Sequence, residues 1–463
     1  MSTVPDRALL PELIDQELVL YRERHPTSHE MFEQGKKMML SGVPMSWMLK
    51  WAGASPLAGQ PVGFPLFADR AEGAHLIDVD GNEFVDFCLG DTGAMTGHSP
   101  SSVIGPLQEQ LRRGLTTMMP GAAILEASRL LGERFGLPLW QFTVSATDAN
   151  RFATRLSRGV TGREKILVFN HCYHGSIDEA LATLGPEGEV VNRPYNLGPP
   201  TDTSQTTRVA EFNDLEGVER ELSFGDVACV LAEPALTNVG IVPPEEGFHA
   251  GLRELTAKAG ALLIIDETHT ISVGPGGATG AMGLKPDLLT IGKAIGSGVP
   301  VGAWGLSERL GRQIASDGEL SATLTEGIGV GGTLAGNAFG AQAIVSTLTT
   351  ALTPESFEHT IPLATRWSDG VRTVIEEYSL PWHVTQLGAR AEYQFRPTRP
   401  RNGRDLAQVA DEELERYLRL SLINRGVLTT PFHNMALMSA STSEADVDLH
   451  TDLLRDAIER LFG

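Results

Sequence analysis

The chain has 463 residues and a formal net charge of −21, from 58 acidic and 37 basic residues. This acidity argues against nucleic acid or an anionic membrane surface as partner. The length exceeds that of one ordinary core, so two or three domains are expected. No apolar run is long enough to span a membrane. The N-terminus lacks a signal-peptide pattern, and three cysteines form no disulfide framework, so we expect a cytoplasmic protein.

The N-terminal region, residues 1–75, is predicted to form an arm and part of a small domain. Amphipathic patterns indicate helices at 8–23 and 28–40, and an irregular stretch rich in Gly, Pro, Trp and Met follows. The segment 74–87 alternates apolar and polar residues around an Asp-Gly-Asn turn. This pattern predicts a β-hairpin.

Residues 76–340 are predicted to form a large α/β domain, because short apolar runs alternate with helical patterns. Alternation of this kind is typical of a mainly parallel sheet. After residue 340 three helical patterns, the last at the end of the sequence, and one strand pattern predict a smaller α+β domain over 341–463. The strand candidates of the large domain are 141–144, 165–169, 228–232, 262–265 and 288–291. Helix candidates are 126–135, 149–158 and 248–259 there, and 341–352 and 361–378 in the last domain, whose strand candidate is 391–395.

Two charged residues at strand ends indicate a particular chemistry. Lys293 and Asp266 each follow an apolar run, and ligands of open α/β sheets bind beyond the carboxyl ends of the strands. A desolvated lysine has a lowered pKa and can form a Schiff base with an aldehyde. A carboxylate on the neighbouring strand suits the nitrogen of a pyridine ring. The pair therefore predicts pyridoxal 5'-phosphate as the cofactor.

Other interpretations of single features are weaker. Ser145 and Thr147 would be ordinary helix caps, and Tyr173 and His174 ordinary packing residues, if each stood alone. The histidines have too few neighbouring ligands for a metal site, and none is expected. A glycine pattern at 327–332 fits a dinucleotide-binding loop, but no apolar strand precedes it and no acidic residue follows at the required spacing.

Seven short motifs occur in an order that resembles a known family. They resemble the class III, fold type I pyridoxal-phosphate aminotransferases, and most closely the branch that contains glutamate-1-semialdehyde aminomutase. The resemblance runs from about residue 67 to about 340. It implies a large domain with a mainly parallel seven-stranded sheet flanked by helices, and a small α+β domain built from both chain ends. The motifs lie at 79–83, 144–149, 172–175, 232–234, 264–267, 291–293 and 332–337.

The resemblance implies roles for individual residues. Lys293 would form the Schiff base and then move protons, and Asp266 would pair with the pyridine nitrogen. The phosphate would be bound by Ser145, Ala146 and Thr147, at the start of a helix.

Further roles follow from the same resemblance. Tyr173 would lie against the cofactor ring, and Glu233 and Asn238 would border its phenolic oxygen. Thr333 would reach the phosphate bound in the other subunit, which implies a homodimer with active sites at the subunit interface. His269 stands where relatives often have Gln or Met, and its effect on the cofactor is left open.

The arm departs from the aminomutase pattern. Met48 stands where aminomutases have an arginine for the substrate carboxylate, and Lys50 lacks the planar fork of that side chain. With Trp47 beside it, Met48 predicts a more apolar substrate pocket. Arg390 or Arg396 is an alternative partner for a substrate carboxylate.

From these observations we expect an enzyme, first of all a transaminase. It would move an amino group from an amine or an α- or β-amino acid to an oxo acid, by a ping-pong mechanism through Lys293. The alternative is an isomerase of the glutamate-1-semialdehyde 2,1-aminomutase type, which converts a single substrate. A third hypothesis is a binding protein without turnover, against which Lys293 and Asp266 argue. The identity of donor and acceptor is not readable from the sequence.

Overall fold

The computed structural model describes residues 7–52, 63–194, 196–199, 201–326, 329–408 and 410–462. The α-helices of these ranges are α1 (Leu10–Arg24), α2 (Pro26–Gly35), α3 (Ser101–Arg113), α4 (Ala122–Phe135), α5 (Ala146–Thr161), α6 (Leu215–Leu222), α7 (Phe248–Ala259), α8 (Gly277–Ala281), α9 (Glu308–Ser316), α10 (Gly318–Glu326), α11 (Ala338–Ser346), α12 (Pro354–Glu377), α13 (Gly403–Ala407), α14 (Glu412–Ile423) and α15 (Glu444–Glu459). The strands are β1 (Ala68–Glu72), β2 (His75–Asp78), β3 (Glu83–Asp86), β4 (Leu139–Thr143), β5 (Lys165–Phe169), β6 (Ala182–Leu184), β7 (Val190–Asn192), β8 (Thr207–Ala210), β9 (Val227–Ala232), β10 (Leu262–Asp266), β11 (Leu288–Ile291), β12 (Gly302–Leu306), β13 (His383–Leu387), β14 (Arg390–Gln394), β15 (Val427–Leu428) and β16 (Met435–Leu437).

A seven-stranded sheet forms the centre of the large unit, in the order β4-β12-β11-β10-β9-β5-β8. Only β12 runs antiparallel to its neighbours, β11 and β4. Every residue of β9 and β10 is buried, as expected for strands covered by helices on both faces. Helices such as α5, which packs against β9, β11 and β12, provide that cover. The expected mainly parallel seven-stranded sheet flanked by helices is confirmed.

A smaller unit is built from both ends of the chain. The predicted hairpin is present as the antiparallel pair β2 and β3, and β3 also pairs with β15 through Val85 and Val427. One apolar core joins α1 to α14 and α12 to α15. The domain boundaries at residues 75 and 340 stay a prediction. The hairpin that follows residue 75 lies in the same sheet as β15.

Several helix bounds differ from the predicted ones: α12 begins at Pro354 rather than at residue 361, α4 and α5 begin earlier than predicted, and α2 and α11 end earlier. Helix α2 ends at Gly35 rather than at residue 40, because the chain turns back at Gly42, whose φ is +75°. A Cβ atom at Gly42 would lie 2.7 Å from the ring of Phe32, so this close return favours glycine. Helix α11 ends at Ser346 and continues as a single π turn, Thr347–Ala351. Within the described ranges no helix is both long and apolar enough to cross a lipid bilayer.

Candidate active site

A cavity of about 1510 Å³ lies beyond the carboxyl ends of the central strands, between the two units. Its walls contain most of the residues that the sequence singled out. Those that line it are Trp47, Ser145, Ala146, Thr147, Tyr173, Glu233, Asn238, Asp266, His269 and Lys293. Fold topology and cavity therefore bring together residues from the arm, four strand ends and one helix start.

Lys293 enters this cavity directly after β11. Its backbone has a φ of +47°, and the preceding Gly292 packs so closely on α5 that a Cβ atom there would lie 2.9 Å from the Ala146 nitrogen. The Lys293 Nζ donates to Asp91 Oδ2 at 2.6 Å and lies 2.8 Å from His269 Nε2. The side chain remains 29% exposed, so its amine is accessible from the cavity.

Asp91 is held beside the lysine by an unusual backbone. Residues 89–92 all have positive φ, with values of 46° at Leu89, 52° at Asp91 and 84° at Thr92. Burial alone would raise the pKa of Asp91, but the charge and hydrogen bond of Lys293, together with the other basic groups around it, outweigh burial and hold the pKa well below its ordinary value. Asp91 is therefore an anion at neutral pH.

A buried chain of hydrogen bonds supports His269 from behind. Thr92 Oγ1 lies 2.9 Å from His269 Nδ1 and accepts from Arg390 Nη2 at 2.8 Å. Arg390 also donates to Ser272 Oγ at 3.0 Å. Burial and the charge of Lys293 lower the pKa of His269 to about 3, so its ring is neutral at neutral pH.

Asp266, the last residue of β10, forms a second polar centre. Its Oδ2 accepts from Asn150 Nδ2 at 2.8 Å and lies 2.9 Å from His174 Nδ1. Burial would raise the pKa of Asp266, but the hydrogen bond and charge of His174 outweigh it and lower the pKa to about 2. Burial lowers the pKa of His174, yet Cys172 and Asp266 raise it well above the ordinary value. This centre is consequently an ion pair that presents a carboxylate to the cavity.

The first turn of α5 forms an anion-binding corner. Ser145 caps the helix by accepting from the Asp148 amide, and the amides of Ala146 and Thr147 have no partner within the helix. Gly175 packs against this turn with a φ of +79°, and a Cβ atom there would lie 2.1 Å from Thr147 Oγ1. The corner is thus kept free of side chains by a glycine, and a side chain at this position would force Thr147 to shift.

Three other predicted residues lie along the cavity wall. The ring of Tyr173 is 42% exposed, which leaves one face free for a flat ligand. Burial raises the pKa of Glu233 to about 7, and its Oε2 accepts from Thr237. Asn238 Nδ2 donates to the carbonyl of His171 at 3.3 Å.

Four predicted residues do not line the cavity, namely Met48, Arg390, Arg396 and Thr333. Met48 lies on the 3₁₀ segment Ser46–Ala52, but the residues of that segment in the cavity wall are Ser46, Trp47 and Lys50. Arg390 is only 2% exposed and lies behind Thr92. Thr333 is exposed on the surface before α11. Of the glycine pattern at 327–332, the first two residues lie outside the described ranges.

Three residues of the site were not predicted from the sequence, namely Asp91, Thr92 and Asn150. Asn150 is fully buried in α5 and donates to both Asp266 and the carbonyl of His174. A polar side chain on the buried face of a helix was the available signal. Asp91 and Thr92 stand between two glycines in a stretch without periodicity, which gave no signal of their contact with Lys293.

The donor set fits pyridoxal 5'-phosphate. A lysine amine for the aldehyde, an anionic carboxylate for the pyridine nitrogen and a helix start for the phosphate line one cavity. Within the described ranges, His174 Nε2, Glu233 Oε1 and Thr268 Oγ1 are buried and lack a hydrogen-bond partner. No group of three His, Cys, Asp or Glu side chains suited to a metal ion occurs in the same ranges. Fold and site together define a fold type I enzyme dependent on pyridoxal phosphate.

Comparison with known proteins identifies the family. The family model "Aminotransferase class-III" matches residues 58–458, so the chain belongs to the class III aminotransferase family. This membership confirms the cofactor expected from the sequence.

The relatives are similar over nearly the whole chain. Glutamate-1-semialdehyde 2,1-aminomutase 2 of Halalkalibacterium halodurans is 36% identical over 403 residues, which cover 86% of this chain and 91% of that protein. A glutamate-1-semialdehyde aminomutase of Pseudomonas aeruginosa PAO1 is 45% identical, with a TM-score of 0.93 and 99% of both chains covered. An ω-transaminase of Sphaerobacter thermophilus is 28% identical, with a TM-score of 0.85 and coverage of 96% and 100%.

These relatives correct one expectation. Transamination was expected first because no arginine lies near Met48 in the arm, but the relatives at 36% and 45% identity are aminomutases, and the transaminase is more distant. Met48 received too much weight, since the residue of that segment with a charge in the cavity wall is Lys50.

Proposed function

We propose that the chain is an isomerase of the glutamate-1-semialdehyde 2,1-aminomutase type. The observation that supports it best is the similarity to aminomutases over nearly the full length. Such an enzyme takes one substrate with an amino group on carbon 2 and an aldehyde on carbon 1, and yields the isomer with the two functions exchanged. No amino acceptor is consumed.

The reaction requires proton transfers at adjacent carbon atoms. The bound cofactor would exchange an amino group with each of the two carbons in turn and would supply an electron sink for the carbon that bears the nitrogen. Lys293 offers its Nζ at the cavity surface, where it accepts a proton from one carbon and returns it to another. His269, which is neutral, contacts the same nitrogen without adding a charge.

Asp266 and His174 keep the pyridine nitrogen protonated. The carboxylate stays ionised because His174 and Asn150 stabilise its charge, as the lowered pKa indicates. An anion at this place holds a proton on a ring nitrogen, which maintains the electron sink. Tyr173 contributes a flat surface on one side of the cavity.

Lys50 is the proposed partner of the substrate carboxylate. It lies in the cavity wall on the arm, and its Nζ is 5.9 Å from the ring centre of Phe432. Arg193 lines another part of the wall, but its Nη1 already donates to the Cys172 carbonyl at 2.7 Å. Arg390 is 2% exposed, does not line the cavity and donates to Thr92, so its direct contact with substrate is less favoured.

The test is the stoichiometry of the reaction. Purified holoenzyme is incubated with glutamate 1-semialdehyde, with and without added oxo acids, and the isomer is quantified. We expect the wild type to convert the substrate without any oxo acid. Lys293→Ala is expected to form no isomer, and its absorption spectrum should lack the band of the bond between the lysine and the cofactor. A strict need for an added amino acceptor would exclude the isomerase.

We also propose a homodimer. The segments around Leu115 and Ala338 are joined by a backbone hydrogen bond of 3.0 Å, and the large apolar side chains of Met118, Met119 and Leu334 are exposed beside them. Exposed apolar side chains in adjacent segments are typical of a protein interface. Light scattering is expected to give a dimer for the wild type and a monomer for Leu334→Asp, whereas Leu40→Asp on the arm serves as control.

A cytoplasmic location is retained as a proposal. Cys88, Cys172 and Cys229 are all buried and free, which suits a reducing compartment. Cell fractionation against a cytoplasmic marker tests it.

A further inference from the structure

Asp91 has no role in the proposed function, yet it lies at the reacting nitrogen. Its side chain lines the cavity, is 31% exposed and contacts Lys293 Nζ at 2.6 Å. Any group that replaces Lys293 Nζ during turnover also comes close to this carboxylate.

Among the described residues, Lys293 is the cation that contacts the Asp91 carboxylate. His269 Nε2 lies 3.9 Å from Asp91 Oδ2, but the imidazole ring is neutral. The charge of Arg390 acts on Asp91 only from a distance, because its guanidinium donates its hydrogen bonds to Thr92 and Ser272. Once the Lys293 nitrogen is bonded to the cofactor, the carboxylate no longer faces that ammonium and can accept one from a bound substrate.

The backbone around Asp91 is a built structure rather than a loose loop. Asp86 accepts from the amides of Cys88 and Leu89 at 2.8 and 2.9 Å, which anchors the segment. Asp91 and Thr92 both adopt left-handed φ angles, a conformation that costs on the order of 1 kcal/mol or more for residues other than glycine. Strain of this kind persists where the surrounding structure requires a side chain in one direction, here toward Lys293.

We propose that Asp91 is a specificity-determining residue that binds a substrate ammonium group on the carbon next to the reacting one. This inference rests on the proposed function, because a 2,1-aminomutase acts on a substrate with an amino group beside an aldehyde. The substrate ammonium occupies the place beside the Asp91 carboxylate that Lys293 Nζ holds in this structure. The substrate class is that of molecules with an ammonium group on the carbon next to the amine or aldehyde that reacts with the cofactor.

The experiment compares two small amines with the holoenzyme. 1,2-Diaminopropane and 1-amino-2-propanol have nearly the same size, and only the first has an ammonium beside its reacting amine. Each is titrated against the bound-cofactor absorbance, and the ratio of the two half-saturation concentrations is measured for the wild type and for Asp91→Asn. A charged hydrogen bond corresponds to about tenfold or more in affinity, so we expect the wild-type preference for the diamine to fall by about tenfold in the variant.

Asp178→Asn is the matched control, because Asp178 lines the same cavity but is not a partner of Lys293. It loses the same charge and is expected to keep the diamine preference. An unchanged ratio in Asp91→Asn, or an equal loss in Asp178→Asn, overturns the proposal. If Asp91→Asn fails to bind the cofactor, the proposal is tested on the wild type alone. A wild type that binds both amines equally well also overturns the proposal. The titration is independent of isomer formation, so failure of the proposed function is detected separately.

Discussion

Arg390 and Thr92 form a buried contact in which Arg390 Nη2 donates to Thr92 Oγ1 at 2.8 Å, although the two residues are 298 positions apart in sequence. The same hydroxyl lies 2.9 Å from His269 Nδ1. One side chain oxygen thus joins a cation of the smaller unit to the histidine that contacts Lys293.

Thr92→Val is expected to destabilise the protein, because it leaves a buried guanidinium nitrogen and a histidine nitrogen without their shared partner. The expected loss is about 1–3 kcal/mol in the free energy of unfolding, measured by urea denaturation of the holoenzyme. Thr92→Ser retains the hydroxyl and is the control. Equal stability of the Val and Ser variants contradicts the role of this oxygen.

Gly175→Ala is expected to weaken binding of pyridoxal phosphate, because its Cβ would lie 2.1 Å from Thr147 Oγ1 in the phosphate-binding corner. Overpacking costs roughly 1–3 kcal/mol, which corresponds to about tenfold in the dissociation constant. Gly162→Ala, at the other end of α5, has a φ of +67° and nothing within 4 Å of its Cβ position. It reproduces the backbone strain without the clash, and equal effects of both variants on cofactor affinity refute the prediction.

Glu17→Gln is expected to destabilise the smaller unit by roughly 3 kcal/mol at neutral pH, because buried ion pairs are costly to break from one side. Glu17 is 2% exposed, and Arg425 and Arg460 both donate to its carboxylate. Burial would raise the pKa of Glu17, but Arg425, Asn424 and Arg460 outweigh it and lower the pKa.

The sign of the pH effect follows from that lowered pKa. The stabilisation by Glu17 is complete above its ordinary pKa of 4.5 and is lost as the pH falls through the lowered value. The difference in unfolding free energy between the wild type and Glu17→Gln should therefore shrink below pH 4.5. Glu12→Gln, on the exposed face of the same helix, is the control. A difference that stays constant with pH would argue against the ion pairs.

Lys50→Ala is expected to raise KM for the carboxylate-bearing substrate by about tenfold, with a smaller effect on kcat, because Lys50 is assigned to binding and not to chemistry. Lys50→Arg should restore most of the affinity. Lys37→Ala changes an exposed lysine of the arm outside the cavity wall and should leave KM as it is. An unchanged KM for Lys50→Ala assigns the carboxylate to another cation of the wall, with Arg193 next in order.

The sequence predicted the strand ends better than the loops. Lys293 and Asp266 were predicted because apolar runs mark buried strands, and parallel strands present their carboxyl ends at one edge. Asp91 is 202 positions from Lys293 and reaches it through four consecutive positive φ angles, which no periodicity indicates.

The choice between activities depended on a single arm position. The residue type at Met48 shows that the arginine is missing, but it does not show which side chains of that segment face the cavity. Trp47 and Lys50 do so, and a 3₁₀ segment has no strong periodicity from which this could be deduced.

The most direct test of the account is the number of turnovers on one substrate. Holoenzyme freed of amino acids and oxo acids is mixed with excess glutamate 1-semialdehyde, and the isomer formed per active site is measured over time. An isomerase is expected to give many equivalents per site with no co-substrate. If the substrate instead loses its amino group, and the deaminated product stops at about one equivalent per site until an oxo acid is added, the account is contradicted and the enzyme is a transaminase.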